Sequence, residues 1–192
     1  MSLPRTIRKI VLTGFMGAGK STIGALLAQR LGWNFLDVDT VIESRAGKTV
    51  AEIFAHQGEA AFRALEAEAI REQSRRENLV LALGGGAVET ESTRELLTTL
   101  GQTCVVFLDA PLEILVARCL AQPSAAERPI LADREGLLRR FEARLPYYRG
   151  AHLTIATAAL TPQAVVACIL EALETFNKRC TDEATAQGAP TR

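Results

Sequence analysis

Residues 14–22 read GFMGAGKST, a glycine-rich run closed by Lys-Ser-Thr. Before it stands Lys9-Ile10-Val11-Leu12-Thr13, short, apolar and β-branched, the pattern of a buried strand. After it, Ser21 to Leu31 carries apolar residues at helical spacing and meets Gly32, where a C-terminal cap belongs. A G-x-x-x-x-G-K-[ST] pattern between a strand and a helix makes a phosphate-binding loop. Gly14, Gly17 and Gly19 let the backbone curl with its N–H groups turned inward, and the helix N-terminus adds partial positive charge. Gly17, Ala18, Gly19, Lys20, Ser21 and Thr22 are therefore the candidate nucleotide contacts. Lys20 is expected to reach the β- and γ-phosphates, and the Ser21 hydroxyl to ligate Mg²⁺.

Strand-like runs recur at Ile10–Thr13, Asn34–Val38, Leu79–Leu83, Cys104–Leu108 and His152–Ile155, with helical patterns between them. That alternation implies a parallel sheet covered on both faces, and right-handed crossovers then require a three-layer α/β/α sandwich. The chain of 192 residues suits one well-buried domain with a tail. The expected division is a single phosphate-loop (P-loop) domain over 1–178 and an unstructured tail over 179–192, where the sequence turns polar and small. Within the domain, small and polar residues from Ala121 to Pro129 interrupt the helical period, so about 121–132 is expected to form a mobile lid.

The formal net charge is zero, which gives no global attraction to nucleic acid or an anionic membrane, and neither is expected as a partner. The apolar stretch Ala164–Leu173 is too short to span a bilayer and contains Glu171. Arg5, Arg8 and Lys9 precede an apolar run as in a signal peptide, but that run holds the phosphate loop, so secretion is rejected. Cys104, Cys119, Cys168 and Cys180 match no zinc spacing and form no C-x-x-C pair. The first three fall in apolar patterns and read as buried thiols, which suits a reducing cytoplasm. A monomer is expected.

Beyond the loop, chemistry-bearing residues gather at a few points. Asp37 and Asp39 lie at the end of the second strand, where open α/β sheets bind ligands. They can serve Mg²⁺ and a substrate hydroxyl, or Asp39 or Thr40 can cap a helix over Val41–Ala46. In GEAAFRALEAEAI, Phe62, Leu65, Ala69 and Ile70 form one apolar stripe, with Arg63 off it beside Glu59 and Glu66. Arg63 is either an exposed ion-pairing residue or a ligand contact. Gly84, Gly85 and Gly86 end an apolar strand and leave bare backbone that a ligand can approach. Arg128 in ERPIL can fold over phosphate from the lid. Arg144, in EARLPYY before a helix-stopping Pro146, and Arg118, before the lid, can be ligand contacts or solvated helix-end arginines.

Taken in order, GFMGAGKST, FLDVDT, GEAAFR, GGG, RPIL and RLPYY resemble the shikimate kinase family over about residues 8–176. The resemblance implies a nucleoside-monophosphate-kinase-like fold with a five-stranded parallel sheet in the order 2-3-1-4-5. It implies ATP as co-substrate, Mg²⁺ as cofactor, and transfer of the γ-phosphoryl group to the 3-hydroxyl of shikimate, in the chorismate pathway to aromatic amino acids. Residue by residue, it assigns Lys20 and Ser21 to nucleotide and metal, and Asp37 to Mg²⁺ through water. Asp39 would bind shikimate hydroxyls and orient or deprotonate the nucleophile. Arg63 and Arg144 would grip the shikimate carboxylate, with Gly84–Gly86 lending N–H groups. Arg128 would act catalytically from the lid, and Arg118 would lie near adenine. The chemistry is compatible: a small polyol acid suits guanidinium forks at one end and a carboxylate acceptor at the other.

One stretch departs from the family. The adenine loop reads IATAALTP, and Ala156, Ala158 and Ala159 offer no side-chain hydrogen bond or stack. Adenine would then depend on backbone groups and Arg118. Two other readings compete. A gluconate kinase of the same fold could use an Asp and Arg pair, but the triple glycine with RPIL and RLPYY argues against it. A GTPase-type switch lacks N-K-x-D, since Asn177-Lys178 is followed by Arg179-Cys180, and its D-x-x-G match at Asp133–Gly136 does not end an apolar strand.

Overall fold

A computed structural model describes residues 7–121 and 133–187. The first strand, β1 (Lys9–Thr13), leads through the phosphate loop into α1 (Lys20–Leu31), then β2 (Asn34–Asp37), α2 (Val38–Ala46) and α3 (Val50–Gln73). The chain continues through β3 (Leu79–Ala82), a 3₁₀ turn over Ala87–Glu89, α4 (Glu91–Thr99), β4 (Thr103–Asp109) and α5 (Leu112–Leu120). It closes with α6 (Arg134–Arg149), β5 (Leu153–Ala156) and α7 (Pro162–Gln187).

All strand pairs are parallel and the sheet order is β2-β3-β1-β4-β5, as the resemblance implied. β1 is central, with Ile10 opposite Val80 on one side and Cys104 on the other. Alternation along the strands builds the two outer layers. Ile10, Leu12, Val80 and Val106 point toward α1, α6 and α7, where they meet Leu27, Tyr148 and Ile169. Val11, Leu79, Leu81 and Val105 point the other way, toward Ile42 of α2, Phe62 and Ile70 of α3, and Leu97 of α4. Cys104 is buried in the first of these cores, Cys168 packs half-buried against it, and Cys119 is buried in α5. No described helix is long and apolar enough to cross a membrane.

Local signals explain several boundaries. Gly32 ends α1 at φ 68°, and its N–H reaches the carbonyls of Ala28 and Gln29. Thr49 and Glu52 form a reciprocal capping box at the start of α3. Gly58, at φ 80°, breaks the helical path within α3, so the segment carrying Arg63 starts a new direction there.

Three expectations are corrected. α2 starts at Val38 rather than Val41, and its N-cap is Asp37, which accepts from the Asp39 N–H, rather than Asp39 or Thr40. Pro146 does not stop α6, which runs on to Arg149. The last turn is held by burial: Tyr148 is fully buried, its ring stacks 5.2 Å from Phe107, and its hydroxyl donates to the Gly85 carbonyl. Those contacts outweigh the N–H that proline removes. Finally, α7 continues past Lys178 to Gln187. Extending an existing helix needs no new nucleus, and the first breakers are Gly188 and Pro190. Residues 188–192 of the expected tail and 122–132 of the expected lid, Arg128 among them, lie outside the described residues.

Candidate active site

The C-terminal edge of the sheet opens onto a cavity of about 550 Å³. Its floor is the phosphate loop. Gly17 and Gly19 take φ values of 76° and 88°, which L side chains rarely adopt, and a Cβ on Gly17 would collide with the Leu115 carbonyl. The Ala18 side chain is buried, so only its backbone is available there. Lys20 folds back onto its own loop, with Nζ donating to the carbonyls of Gly14 at 2.8 Å and Phe15 at 3.1 Å. Burial pushes the Lys20 ammonium down to about 8, against the opposing pull of Asp39 and Asp37.

Ser21 and Thr22 are exposed in the first turn of α1. Ser21 Oγ donates to Asp37 Oδ2 at 2.6 Å. This pair of hard oxygen donors beside the loop is the kind of set that Mg²⁺ takes together with phosphate oxygens, so the residues present fit the metal. Asp39 lies deeper. Its Oδ1 is buried with no hydrogen-bond partner, and burial first, then the Asp37 charge, raises its pKa. An unpartnered acceptor in a ligand cavity is available for a substrate hydroxyl.

The triple glycine forms the cavity wall, and space rather than backbone strain explains it. A Cβ on Gly84 would strike Glu66 Oε1 and lie 3.0 Å from Asp39 Oδ1. A Cβ on Gly86 would strike the Arg63 guanidinium. Gly85 lies between them, with Arg144 Nη1 3.9 Å from its notional Cβ. The bare backbone therefore runs from an acidic end at Asp39 to a basic end at Arg63 and Arg144. Arg63 donates to Glu66 at 2.7 Å and Glu59 at 3.1 Å, so the ion-pairing alternative is present along with its place in the cavity. Arg144 is 11% exposed, lies 5.6 Å over the Phe15 ring and pairs with Glu89 at 2.8 Å. The solvated helix-end reading of Arg144 is thereby excluded.

Lys20, Ser21, Asp37, Asp39, Arg63, Gly84, Gly85, Gly86 and Arg144 thus line one cavity. Arg118 does not. Its guanidinium donates to the Thr157 hydroxyl at 3.0 Å and to the Thr157 carbonyl, at the start of the alanine-rich loop after β5. Thr157 in turn donates to the Asp109 carbonyl through both its N–H and its hydroxyl. Sequence reasoning passed over Thr157, although it is the polar side chain among Ala156, Ala158 and Ala159. It also left Glu89 unused and treated Glu66 only as an ion-pair partner. Glu66 is 1% exposed, and burial raises its pKa despite the Arg63 charge. Its signal was i,i+3 spacing from Arg63, which exposed pairs share.

The family model described as shikimate kinase matches residues 16–174. The chain belongs to the shikimate kinase family. Shikimate kinases from Symbiobacterium thermophilum and Geobacter sulfurreducens are 44% and 45% identical to it. The first match covers 88% of this chain and 98% of the relative, the second 86% and 91%. A solved shikimate kinase from Acinetobacter baumannii, in complex with shikimate, superposes with a TM-score of 0.80 at 37% identity. That match covers 88% of this chain and 94% of the other. A gluconokinase from Sinorhizobium meliloti superposes with a TM-score of 0.55 at 18% identity over 97% of this chain and 100% of its own, a likeness of fold alone. As a shikimate kinase family member the chain is an ATP-dependent kinase.

Proposed function

We propose that this shikimate kinase family member transfers the γ-phosphoryl group of ATP to the 3-hydroxyl of shikimate, on the route to aromatic amino acids, as a cytoplasmic monomer. The observation that carries the substrate reading is the polarity of the triple-glycine wall. Asp39 stands at one end and the Arg63–Arg144 pair at the other, all in one cavity with Lys20. A small polyol acid matches that polarity, with its hydroxyls on Asp39 and its carboxylate in the guanidinium forks.

Phosphoryl transfer calls mainly for positioning and charge stabilisation. Lys20 leaves the carbonyls of Gly14 and Phe15 for phosphate oxygens, exchanging neutral partners for anionic ones. Ser21 and Asp37 would hold Mg²⁺, and the ion would supply positive charge against the phosphates. Asp39 accepts the proton of the reacting hydroxyl or orients it, and its buried, elevated pKa makes it a better base than an exposed aspartate. Gly84–Gly86 let the ring approach the backbone. The family resemblance gives Arg128, outside the described residues, the role of stabilising phosphate charge, and Arg118, anchored by Thr157, borders adenine.

A coupled assay with ATP and a panel of shikimate, quinate and gluconate tests the substrate. Shikimate is expected to be turned over with by far the highest kcat/KM. Preferential phosphorylation of gluconate would overturn the reading.

A further inference from the structure

The two arginines of the acid clamp are already engaged by carboxylates of the chain itself. Arg63 pairs with Glu66 at 2.7 Å, Glu59 at 3.1 Å and Glu89 at 3.6 Å, and Arg144 pairs with Glu89 at 2.8 Å. Glu89 uses one oxygen, Oε2, for both guanidiniums. It therefore bridges the two arginines through a single carboxylate oxygen.

The three carboxylates are not equivalent. Glu66 is 1% exposed, and withdrawing it would leave buried charge unpaired. Glu89 is 36% exposed, so its side chain can swing into water at little cost. Its backbone is fixed. Arg94 of α4 donates to the carbonyls of Val88 and Glu89 at 2.8 and 2.7 Å, and its guanidinium lies 4.4 Å over the ring of Tyr147 in α6, the helix that carries Arg144. Glu89 is thus a tethered anion on a rigid mount. With Glu59, Glu66 and Glu89 around two guanidiniums, negative charge already exceeds positive. Arg144 keeps its Nε without a partner, so a further carboxylate finds a donor there and competes with the three for the charge of the clamp; Glu89 is the one that both lies between the arginines and can leave.

We propose that Glu89 is a specificity-determining residue whose carboxylate occupies the Arg63–Arg144 clamp in the free enzyme and is displaced by the carboxylate of the substrate. This rests on the clamp reading given above. The tethered anion keeps two like charges together between turnovers. It also sets a threshold for entry: a weak monoanion does not displace it, whereas an acid that also reaches Asp39 does. The charge that Glu89 removes from the clamp lowers affinity for every carboxylate, including the substrate's.

Calorimetric titration of parent, Glu89→Gln, Glu89→Ala and Arg144→Ala with shikimate and with its neutral carboxamide tests this, with thermal melts to verify folding. Both Glu89 variants are expected to bind shikimate more tightly, by about fivefold, the upper reach for a pair partly open to water. The gain should appear as a lower KM for shikimate and as stronger inhibition by benzoate, while carboxamide affinity should not rise. Unchanged or weaker shikimate binding would make Glu89 a support for the clamp and overturn displacement. An equal gain for acid and carboxamide would mean mere relief of crowding and would overturn it as well. Arg144→Ala separates the two ideas. If it loses shikimate affinity while the Glu89 variants gain none, only displacement falls. If it keeps the parent's affinity, the clamp and displacement fall together.

Discussion

Ser21 Oγ donates to Asp37 Oδ2 at 2.6 Å, while Asp37 Oδ1 accepts the N–H of Asp39 at 3.1 Å. One carboxylate therefore couples the first turn of α1 to the start of α2. The proposed metal donors and the backbone that presents Asp39 are set by the same group.

This geometry divides the labour between the two aspartates. Asp37→Asn keeps an oxygen to cap α2 but loses its charge. It should raise the Mg²⁺ concentration for half-maximal activity by about tenfold or more. Asp39→Asn should instead lower kcat by about 10²–10⁴-fold with ATP affinity nearly intact. Mg²⁺ titrations of both variants decide the matter: if the shift in metal requirement appears in Asp39→Asn instead, the assignments are reversed.

Gly86→Ala examines the clamp without touching a charge. At φ −99° the backbone accepts alanine, but the new methyl group occupies the place of the Arg63 guanidinium. Arg63 must move, and KM for shikimate should rise about tenfold or more, roughly 1.4 kcal/mol. Truncating Arg63 or Arg144 should cost on the order of 2–5 kcal/mol of shikimate binding. Those losses should fall short of adding, because both arginines address one carboxylate. Fully additive losses in a double-mutant cycle would show that they do not.

Thr157→Val keeps the shape of a buried side chain but removes the hydroxyl that receives Arg118. The bond from Arg118 to the Thr157 carbonyl remains, so the effect should be moderate: a several-fold rise in KM for ATP, with KM for shikimate unchanged. An equal rise in both would point to a general loosening of the fold rather than to the nucleotide end of the site.

His152 gives the fold a pH dependence of defined sign. Its Nδ1 accepts the N–H of Val105 in β4 at 2.8 Å, and partial burial holds its pKa below the ordinary 6.5. Protonation fills the acceptor and sets two donors against each other. Because the folded pKa is the lower one, the unfolded chain takes up the proton first. The contribution is complete above pH 6.5 and is lost as pH falls toward the folded value. Denaturant unfolding of parent and His152→Phe at several pH values should show a stability difference that shrinks as the medium becomes more acidic. A difference independent of pH would remove His152 as its source.

Much of the site was legible because its parts are local. GFMGAGKST declares its strand–loop–helix geometry within one stretch, and Gly17 and Gly19 adopt the backbone that this geometry demands. FLDVDT was ambiguous between ligand site and helix cap; Asp37 is the cap, and its other oxygen receives the Ser21 hydroxyl. Arg63 showed the spacing of a common surface ion pair, and the pairs exist; what set it apart was Gly86, whose missing Cβ makes room for the guanidinium. Pro146 was misread because a propensity rule ignores what the following turn buries, and Tyr148 buries its whole side chain.

The sequence by itself determined the fold class, the sheet's strands and the phosphate chemistry. Those follow from periodicity and turn residues within short windows, where each residue's neighbours along the chain supply the physics. Only the tertiary structure decided which charges meet. Glu89 reaches Arg144 from the turn after β3, Thr157 receives Arg118 from beyond β5, and the Gly84–Gly86 backbone separates Asp39 from Arg63. Such pairings depend on strand order and on the burial that fixes α3 and α6 against the sheet. A side chain's partner across the fold is set by that packing and leaves no trace in its own stretch of sequence.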